Sequence, residues 1–337
     1  MNYQIKTFDS LPQASRAAAA LRAVPRQPRE VPLVGVIRNP RSYRNKGLAP
    51  EHAVEAEVIT ETTLKRKELF EVLARFASAG VDYLAIDGGD GTVRDVLTCG
   101  AAAFGDDWPP LIVMPKGKTN ALAADLGLQP QWDLEKALER AKAGSFVSRR
   151  PLLIAEADDP DARVYGFMLG AGVFTRAIGL GQSAHRWGAF NALAVVVTTF
   201  WSLGQALFAS GSNPWRRQTG MRLTGDRGYS IAGDEDRRYL MLSSTLENFP
   251  MGMKPFGEPR DGLKLVALDR PSRRSLLHIP FIALGRRPSA PARLGYYWAA
   301  PEAYRMTLED HFILDGEAFP PGSYRVSQGP ELRFVVP

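Results

Sequence analysis

The sequence predicts an N-terminal α/β domain, with a parallel sheet and helices on both faces, followed by a mainly antiparallel β domain. Three observations predict this division. The chain has 337 residues, and single hydrophobic cores usually stop growing near ~250 residues. Strand-like apolar runs alternate with helical patterns up to about residue 150, an order typical of parallel sheets. Beyond that point, short strand-like runs follow one another between Gly, Pro and Asp clusters, as in antiparallel sheets.

Apolar runs and helical spacings give the elements of the first domain. Pro32–Arg38 is an apolar run that ends at an Asn-Pro turn, as a buried strand often does. Four apolar residues from Leu69 to Phe76 recur at helical spacing, and Gly80 stands where that helix is expected to stop. The further elements predicted here are a strand at 83–86, a helix from Thr92, a strand at 109–115, and helices near 120–126 and 132–143.

The second domain is predicted from six strand-like runs, which a charge-free segment, Trp187–Trp215, interrupts. The predicted domain ranges are an N-terminal extension at 1–30, the α/β domain at 31–150 and the β-rich domain at 151–337. The runs predicted as strands are 151–157, 163–172, 237–245, 263–269, 304–316 and 331–337.

The composition limits the class of protein. With 45% hydrophobic and 23% charged residues, the chain has the composition of an ordinary globular protein. Its formal net charge of +6 favours anionic partners such as nucleotides, nucleic acid or acidic membrane surfaces. Cys99 is the only cysteine, so no intramolecular disulfide can form and a reducing compartment is expected. The four histidines lack metal-ligand spacing, which argues against a zinc site.

The segment Trp187–Trp215 is long enough to span a bilayer. Polar residues such as Asn191, Thr198 and Gln205 recur through it, however, which suits a helix with one face in a protein cleft or at a membrane interface. The N-terminus lacks the apolar core of a secretory signal. We therefore expect a cytoplasmic protein that associates peripherally with anionic membranes, and a transmembrane span is the less favoured alternative.

Three polar loops each follow a predicted strand, at 39–42, 88–92 and 116–120. The carboxyl ends of parallel strands meet at one edge of a sheet, so these loops are expected to converge there. Glycine lets backbone N–H groups approach phosphate oxygens closely, and a following helix N-terminus adds partial positive charge. The sequence therefore predicts a polyphosphate site at this edge. The basic residues available to neutralise it are Arg41, Lys46, Lys116 and Lys118.

Asp90 stands in the middle of the second loop, between glycines. A carboxylate would repel phosphate unless a divalent cation or a reacting proton lies between them, so Asp90 is a candidate for a metal or acid–base role. The alternative is a tight strand–helix turn in which Asp90 caps a helix. The presence of three such loops favours the phosphate site.

The loops match neither the GxxxxGK[ST] motif nor the GxGxxG fingerprint, so the nucleotide must be bound in a different way. Gly88–Val96, "GGDGTVRDV", closely resembles the GGDGT signature of the diacylglycerol kinase catalytic-domain family, which includes sphingosine, ceramide and bacterial lipid kinases. More distantly it resembles NAD kinases and phosphofructokinases. The segments that resemble further motifs of the family, in the same order, are Arg38–Ser42, Pro115–Ala123, Gly170–Ile178, Glu247–Leu265 and Leu314–Phe319.

This resemblance implies an ATP-dependent lipid kinase with its active site between two domains. Such an enzyme transfers the γ-phosphate to the primary hydroxyl of a neutral membrane lipid, either diacylglycerol-like or a ceramide or sphingoid lipid. The residues that would line the ATP phosphates by matched position are Asn39, Pro40, Arg41, Ser42, Tyr43, Gly88, Gly89, Asp90, Gly91, Thr92, Val93, Arg94, Gly117, Lys118, Thr119 and Asn120.

The resemblance also implies the catalytic acid and a metal site. Glu317, with Asp315 beside it, would accept the proton of the lipid hydroxyl as the bond to phosphorus forms. The sequence leaves open whether Glu317 or Asp90 is the base, and the resemblance favours Glu317. Mg²⁺ would offset charge on the transferring group. The residues that would match the family's structural magnesium site are Asp261 and the backbone carbonyls of Glu258 and Leu263.

Several positions depart from the family's pattern. Lys118 stands where bacterial members often carry Thr, and Arg94 where Asn is usual. Ala121 stands where diacylglycerol kinases commonly have Asp. Thr175 replaces the Asp that meets the amino-alcohol head in sphingosine kinases, which favours a neutral lipid over cationic sphingosine. The residues predicted to contact the lipid are Gly172, Phe174 and Thr175.

Other functions remain open at this point. One is a soluble phosphotransferase similar to NAD kinase, which the Asp-Gly-Glu motif and the apolar segment argue against. Another is a lipid-binding regulatory protein with a degenerate kinase site. A nucleic-acid binder finds no support, because no recognition helix or basic patch with interleaved aromatic residues is present in the sequence. The sequence does not decide the oligomeric state.

Overall fold

The computed structural model describes residues 8–13, 29–47, 49, 51–62, 65–176, 214–233, 235–258 and 261–337. Most of the charge-free segment predicted as a helix lies outside these residues. The chain forms two compact units. The α/β unit comprises 12–151, 161–166 and 329–337, and the β unit comprises 1–11, 152–160 and 167–328. The units are not continuous in sequence, and the continuous domain ranges given above stay a prediction.

The α/β unit is built on one mostly parallel sheet. Its strands are β1 (Leu33–Arg38), β2 (Glu57–Thr62), β3 (Tyr83–Gly88), β4 (Leu111–Pro115), β5 (Phe146–Arg149) and β18 (Leu332–Val335). Their order across the sheet is β2-β1-β3-β4-β18-β5. Neighbouring strands run parallel except β5, which is antiparallel to β18. This confirms the predicted N-terminal α/β fold.

Burial explains why the inner strands read as continuous apolar runs. Every residue of β1 and β4 is buried, as expected for strands covered on both faces of a parallel sheet. The helices of this unit are α1 (Arg66–Ala79), α2 (Asp90–Phe104), α3 (Ala121–Asp125) and α4 (Leu134–Lys142). A short strand, β7 (Arg163–Gly166), lies against α2.

Local signals set the helix ends. Gly80 ends α1 in the left-handed conformation, with φ of 61°, as the sequence predicted. Asp133 begins α4 by accepting a hydrogen bond from the Lys136 N–H. The second loop departs from expectation, because α2 begins at Asp90 and not at Thr92, with Gly89 as its N-cap.

The last strand is a correction to the sequence interpretation. The run 331–337 was predicted among the antiparallel strands of the second domain. Instead, β18 pairs in parallel with β4 and antiparallel with β5 in the first sheet. An apolar run of this length fits the interior of either sheet, so periodicity alone does not select its partners.

The strands of the β unit are β6 (Leu152–Glu156), β8 (Met168–Gly172), β9 (Thr219–Gly225), β10 (Arg237–Arg238), β11 (Leu240–Ser244), β12 (Lys264–Leu268), β13 (Tyr296–Ala299), β14 (Ala303–Leu308), β15 (Phe312–Leu314), β16 (Glu317–Phe319) and β17 (Gly322–Gln328). They form two antiparallel sheets, which confirms the predicted second fold class. Within this unit the strands of one sheet follow the order β10-β9-β14-β17-β6, and those of the other follow β13-β12-β11-β8-β15-β16. A helix, α5 (Arg273–Ala283), follows β12.

A helix must be both long and apolar to cross a bilayer. Within the described ranges, no helix combines the two properties.

Candidate functional site

Three loops of the α/β unit meet at the carboxyl ends of β1, β3 and β4. The first loop is 39–47, the second 88–92 and the third 116–120. Backbone hydrogen bonds join them: Arg44 N–H donates to the Lys116 carbonyl (3.1 Å), and Lys116 N–H donates to the Gly88 carbonyl (3.0 Å). The Asn39 side-chain amide donates to the Thr92 hydroxyl (2.9 Å). The predicted convergence of the three loops is confirmed.

Two glycines allow the second and third loops to touch through their backbones. A Cβ atom added to Gly89 would lie 2.7 Å from the Gly117 Cα, and one added to Gly117 would lie 2.6 Å from the Gly89 Cα. No side chain fits at either position without moving backbone. The sequence interpretation gave the glycines a role toward phosphate, whereas the structure shows that these two also set the spacing between the loops.

Asn120 closes the third loop on itself. Its side-chain oxygen accepts the Gly117 N–H (2.8 Å), and its side-chain amide donates to the Gly117 carbonyl (3.0 Å). Asn120 adopts the left-handed conformation with φ of 51°, which asparagine tolerates better than most residues. Asn120 therefore helps to hold the loop before α3 in one shape.

Asp90 joins the second loop to the start of α3. One carboxylate oxygen accepts the Ala121 N–H (3.0 Å) and the other accepts the Leu122 N–H (3.3 Å). Burial raises the pKa of the Asp90 carboxyl group, and these N–H donors oppose that shift. The carboxylate therefore caps α3, a helix that is distant in sequence, and the metal or acid–base role of Asp90 stays a prediction.

A buried polar cluster that the sequence analysis missed holds the first loop. The Asn45 side-chain amide donates to the Asp87 carboxylate (2.9 Å), the Asp87 carbonyl (3.1 Å) and the Asn39 carbonyl (3.0 Å). Arg38 Nε lies 3.8 Å from the Asp87 carboxylate, and Asp87 is only 1% exposed. The available signal was Asp87 itself, an acid at the buried end of an apolar strand.

The predicted phosphate-lining side chains divide by exposure. Arg41, Tyr43, Lys118 and Thr119 are exposed. Those that are partly buried are Asn39, Pro40, Gly89, Asp90, Gly91, Thr92, Gly117 and Asn120, and those that are buried are Ser42, Gly88, Val93 and Arg94.

Two predicted basic contacts have partners within the protein. The Arg94 guanidinium is fully buried and lies 3.1 Å from an Asp95 carboxylate oxygen that Arg66 also binds. Lys116 forms an ion pair with Glu51 at 2.5 Å. In this conformation neither side chain extends from the loops, so their predicted contacts to phosphate stay predictions. The exposed cations of the loops are thus those of the first loop and Lys118.

The Asp-Gly-Glu motif of the β unit forms a tight hairpin between β15 and β16. Asp315 and Gly316 have φ of 47° and 84°, the positive pair that a two-residue type I′ turn requires. The Asp315 carboxylate accepts the Phe167 N–H (3.1 Å) and the Met168 N–H (2.9 Å). Glu317 is partly buried and opposes Leu314 across the hairpin. Asp315 thus positions the turn from which Glu317 follows.

The predicted lipid-contacting residues lie at the end of β8. Gly172 has φ of 75°, and a Cβ there would lie 2.4 Å from the Tyr239 carbonyl oxygen. The Thr175 hydroxyl is buried and donates to the Gly172 carbonyl (2.6 Å). The Phe174 ring lies over Gly170, where a Cβ would approach it to 2.1 Å. These residues form one packed corner, and their contact with lipid stays a prediction.

The predicted magnesium residues lie before β12. Asp261 is exposed, Leu263 is buried, and the exposed Glu258 side chain lies 3.7 Å from Lys254. Oxygen donors of this kind suit Mg²⁺, with water completing the coordination. In the ranges that the structure describes, no group of three acidic, histidine or cysteine side chains is arranged to hold a metal. A site here would therefore depend on carbonyl oxygens and water.

The sequence around the three loops is similar to that of known proteins. Residues 34–149 match the sequence model of the family described as "Diacylglycerol kinase catalytic domain". The chain is 38% identical over 69 residues to "Probable lipid kinase YegS" of Shigella flexneri, a match that covers 20% of this chain and 22% of that protein. The same identity and coverage hold for the protein of that name from Escherichia coli O1:K1 / APEC. The chain thus spans about a fifth of the length of these curated relatives.

Solved structures show the fold. The crystal structure of a diacylglycerol kinase from Bacillus anthracis str. Sterne has a TM-score of 0.58 and 12% sequence identity, covering 92% of this chain and 99% of that one. A second crystal structure from the same organism has a TM-score of 0.65 and 14% identity with the same coverage. The likeness in fold covers 92% of the chain. The residues that match the family model, 34–149, include the three loops described above. Residues 34–149 thus match the diacylglycerol kinase catalytic-domain family in sequence, and the fold of the chain resembles that of the two solved structures.

Proposed function

We propose that this protein is an ATP-dependent lipid kinase that transfers the γ-phosphate to the primary hydroxyl of a neutral membrane lipid. The observation that carries the proposal is the convergence of three hydrogen-bonded loops at one sheet edge, in a segment that matches a kinase family. Ligands of open α/β sheets bind at the carboxyl ends of the strands, where these loops lie.

The loops supply phosphate-binding groups of two kinds. Backbone N–H groups at the start of α2 point toward the helix N-terminus, where the helix dipole attracts anions. Arg41 and Lys118 are exposed on the first and third loops and add positive charge. Because Asn45, Asp90 and Asn120 already hold the loops in shape, little ordering is needed when a nucleotide binds. Mg²⁺ bound with the nucleotide would offset charge on the phosphoryl group.

Glu317 is the proposed proton acceptor. Asp90 and Asp315 each use their carboxylate to hold a neighbouring segment through two backbone N–H groups. Proton abstraction requires a base within hydrogen-bond reach of the hydroxyl, and the Glu317 carboxylate follows the turn that Asp315 holds. In this mechanism the lipid hydroxyl loses its proton to Glu317 as its oxygen bonds to the γ-phosphorus, and ADP leaves.

The acceptor lipid is proposed to be neutral. Thr175 offers no charge at the position where an acid would meet an amino-alcohol head, and its hydroxyl is already bonded to the Gly172 carbonyl. A threonine cannot compensate the charge of a cationic head group. Diacylglycerol-like lipids and ceramide fit this environment better than sphingosine.

A phosphate-transfer assay tests the function. Purified protein is incubated with ATP labelled at the γ-phosphate, Mg²⁺ and a panel of diacylglycerol, monoacylglycerol, ceramide and sphingosine, and NAD without lipid serves as a separate acceptor. We expect label in a neutral lipid and none in NAD. Label in NAD alone would favour the soluble phosphotransferase, and ATP binding without label in any lipid would favour a regulatory protein.

A further inference from the structure

The outward face of α5 carries an apolar stripe. Leu277, Phe281 and Leu284 are 56%, 51% and 64% exposed. Their spacing of four and three residues puts them on one side of the helix. The opposite side of the helix is packed against the protein core, because Leu276 and Ile282 belong to a core cluster that includes Tyr296. The helix therefore presents apolar side chains to solvent as well as to the core.

The stripe extends beyond the helix. The Lys254 N–H donates to the Ala283 carbonyl (2.7 Å), which holds the segment 250–254 against the end of α5. In this segment Met251 is 60% exposed. Several exposed apolar side chains gathered in one region of a surface mark an interaction site. We call Met251, Leu277, Phe281 and Leu284 the α5 patch.

The surroundings of the α5 patch are strongly basic. From Pro271 to Pro301 the sequence contains five arginines and no acidic residue. Arg273 and Arg274 lie one turn before Leu277 on the exposed part of the helix, and Arg286 and Arg287 follow Leu284 after one glycine. On the neighbouring segment, the acidic side chain of Glu258 faces Lys254.

We propose that the α5 patch docks on the surface of an anionic lipid bilayer. Apolar side chains on one face of a helix enter the boundary between headgroups and acyl chains, and flanking arginines bind lipid phosphates. A protein partner would need an apolar surface surrounded by acidic residues to complement the α5 patch and its arginines. An anionic bilayer always offers both features, in its acyl chains and its lipid phosphates. The purpose of docking rests on the proposed lipid acceptor, but docking itself is measured without one.

Vesicle binding tests the proposal. Wild type should co-sediment with vesicles of equal parts phosphatidylcholine and phosphatidylglycerol, and poorly with phosphatidylcholine alone. The triple variant Leu277→Gln/Phe281→Gln/Leu284→Gln should weaken binding by at least about tenfold. Arg273→Gln and Arg274→Gln should each weaken it by about fivefold. The matched controls are Val54→Gln and Tyr229→Gln, which alter side chains that are 92% and 58% exposed elsewhere.

A site-specific probe gives a second readout. Cys99 is buried, and burial raises the pKa of its thiol to about 12, so an introduced surface cysteine is labelled selectively. An environment-sensitive dye on Leu284→Cys should move to shorter emission wavelength with anionic vesicles, and the same dye on Tyr229→Cys should not. Equal binding by the triple variant, or no dye response at Leu284→Cys, overturns the proposal.

Two further outcomes distinguish membrane docking from self-association and from kinase activity. If wild type is dimeric without vesicles and the triple variant is monomeric in sedimentation velocity, the α5 patch is an interface between copies and the proposal fails. If vesicles bind through α5 but no lipid accepts phosphate, docking stands and the proposed kinase function fails. Thermal unfolding of each variant should match wild type, because the altered side chains are mostly exposed.

Discussion

The second loop of the α/β unit and the hairpin of the β unit use an aspartate in the same way. Asp90 accepts the N–H groups of Ala121 and Leu122, and Asp315 accepts those of Phe167 and Met168. In both motifs a carboxylate joins its own turn to a segment distant in sequence. The two regions differ in which group these hydrogen bonds hold in place.

In the α/β unit, the hydrogen bonds of Asp90 hold the backbone of the second loop beside the start of α3. Asp90 lies between glycines, so the held surface presents N–H groups and a helix N-terminus. In the β unit, the hydrogen bonds of Asp315 hold a turn that is followed by a second acid, Glu317, two residues after Asp315. The comparison teaches that Asp90 and Asp315, each an acid of a conspicuous motif, hold backbone in place, and the reactive acid that we propose is Glu317.

The largest expected effect separates Glu317 from both aspartates. Glu317→Gln should lower kcat for phosphate transfer by about 10²- to 10⁴-fold, because it removes the proposed proton acceptor of the lipid hydroxyl. Stability and ATP affinity should remain at the wild-type level. The measurement is steady-state kinetics with the best lipid acceptor, and Glu302→Gln, at an exposed glutamate, is the control. Wild-type kcat in Glu317→Gln would remove Glu317 from the mechanism.

The spacing between the second and third loops gives the next effect. Gly117→Ala places a Cβ 2.6 Å from the Gly89 Cα and from the Asn120 side-chain oxygen, so backbone must shift. We expect a loss of about 1–3 kcal/mol in the free energy of unfolding, with a higher Kd for ATP measured by calorimetry. Gly144→Ala is the control for ATP binding, since nothing lies within 4 Å of its Cβ; its φ of 77° should cost stability without altering the contact between the loops. Unchanged ATP binding in Gly117→Ala would contradict the role of this contact.

Removing either aspartate tests their shared role. Asp90→Ala and Asp315→Ala each leave two backbone N–H groups without an acceptor, which should lower the free energy of unfolding by about 1–3 kcal/mol. Urea denaturation measures both. Asp90→Ala should also weaken ATP binding, whereas Asp315→Ala should leave it unchanged because the N–H groups that Asp315 accepts, those of Phe167 and Met168, lie outside the three loops. Full stability of either variant would mean that its aspartate does not hold its turn.

The smallest effect concerns pH and Asp87. Burial raises the pKa of its carboxyl group, and the Asn45 hydrogen bond opposes the shift. Because the native pKa lies above the unfolded one, the native state keeps a proton that the unfolded state has lost. The stability that Asp87 contributes is therefore greatest at low pH and declines as pH rises through the native pKa. The unfolding free energy of wild type minus that of Asp87→Asn should fall as pH rises, and a constant difference would contradict this.

Sequence patterns predicted the fold well where local rules decide it. Gly80 ended α1 as expected, and the apolar runs at β1, β3 and β4 formed the parallel strands from which the loops emerge. The last strand escaped prediction because partners distant in sequence decide its place. β18 joined the first sheet through pairing with β4 and β5.

The sequence predicted where the three loops meet but not which side chains hold them there. The three loops meet as the sequence indicated, yet Asn45 and Asp87 hold them, and the sequence analysis assigned neither a role. Arg94 is buried and pairs with Asp95, a partner that the motif did not indicate, and its contact with phosphate stays a prediction. A motif fixes which residues occur near a site, whereas the direction of each side chain depends on burial and on hydrogen-bond partners that the motif does not contain.

Amide hydrogen exchange tests the central claim most directly, because it reports each loop separately. Wild type is compared with and without a non-hydrolysable ATP analogue and Mg²⁺, at concentrations that saturate binding. The structure predicts slower exchange together in 39–44, 89–92 and 117–120, since their backbones form one hydrogen-bonded surface. Slower exchange in only one of these loops, or only elsewhere in the chain, would contradict a nucleotide site built from all three.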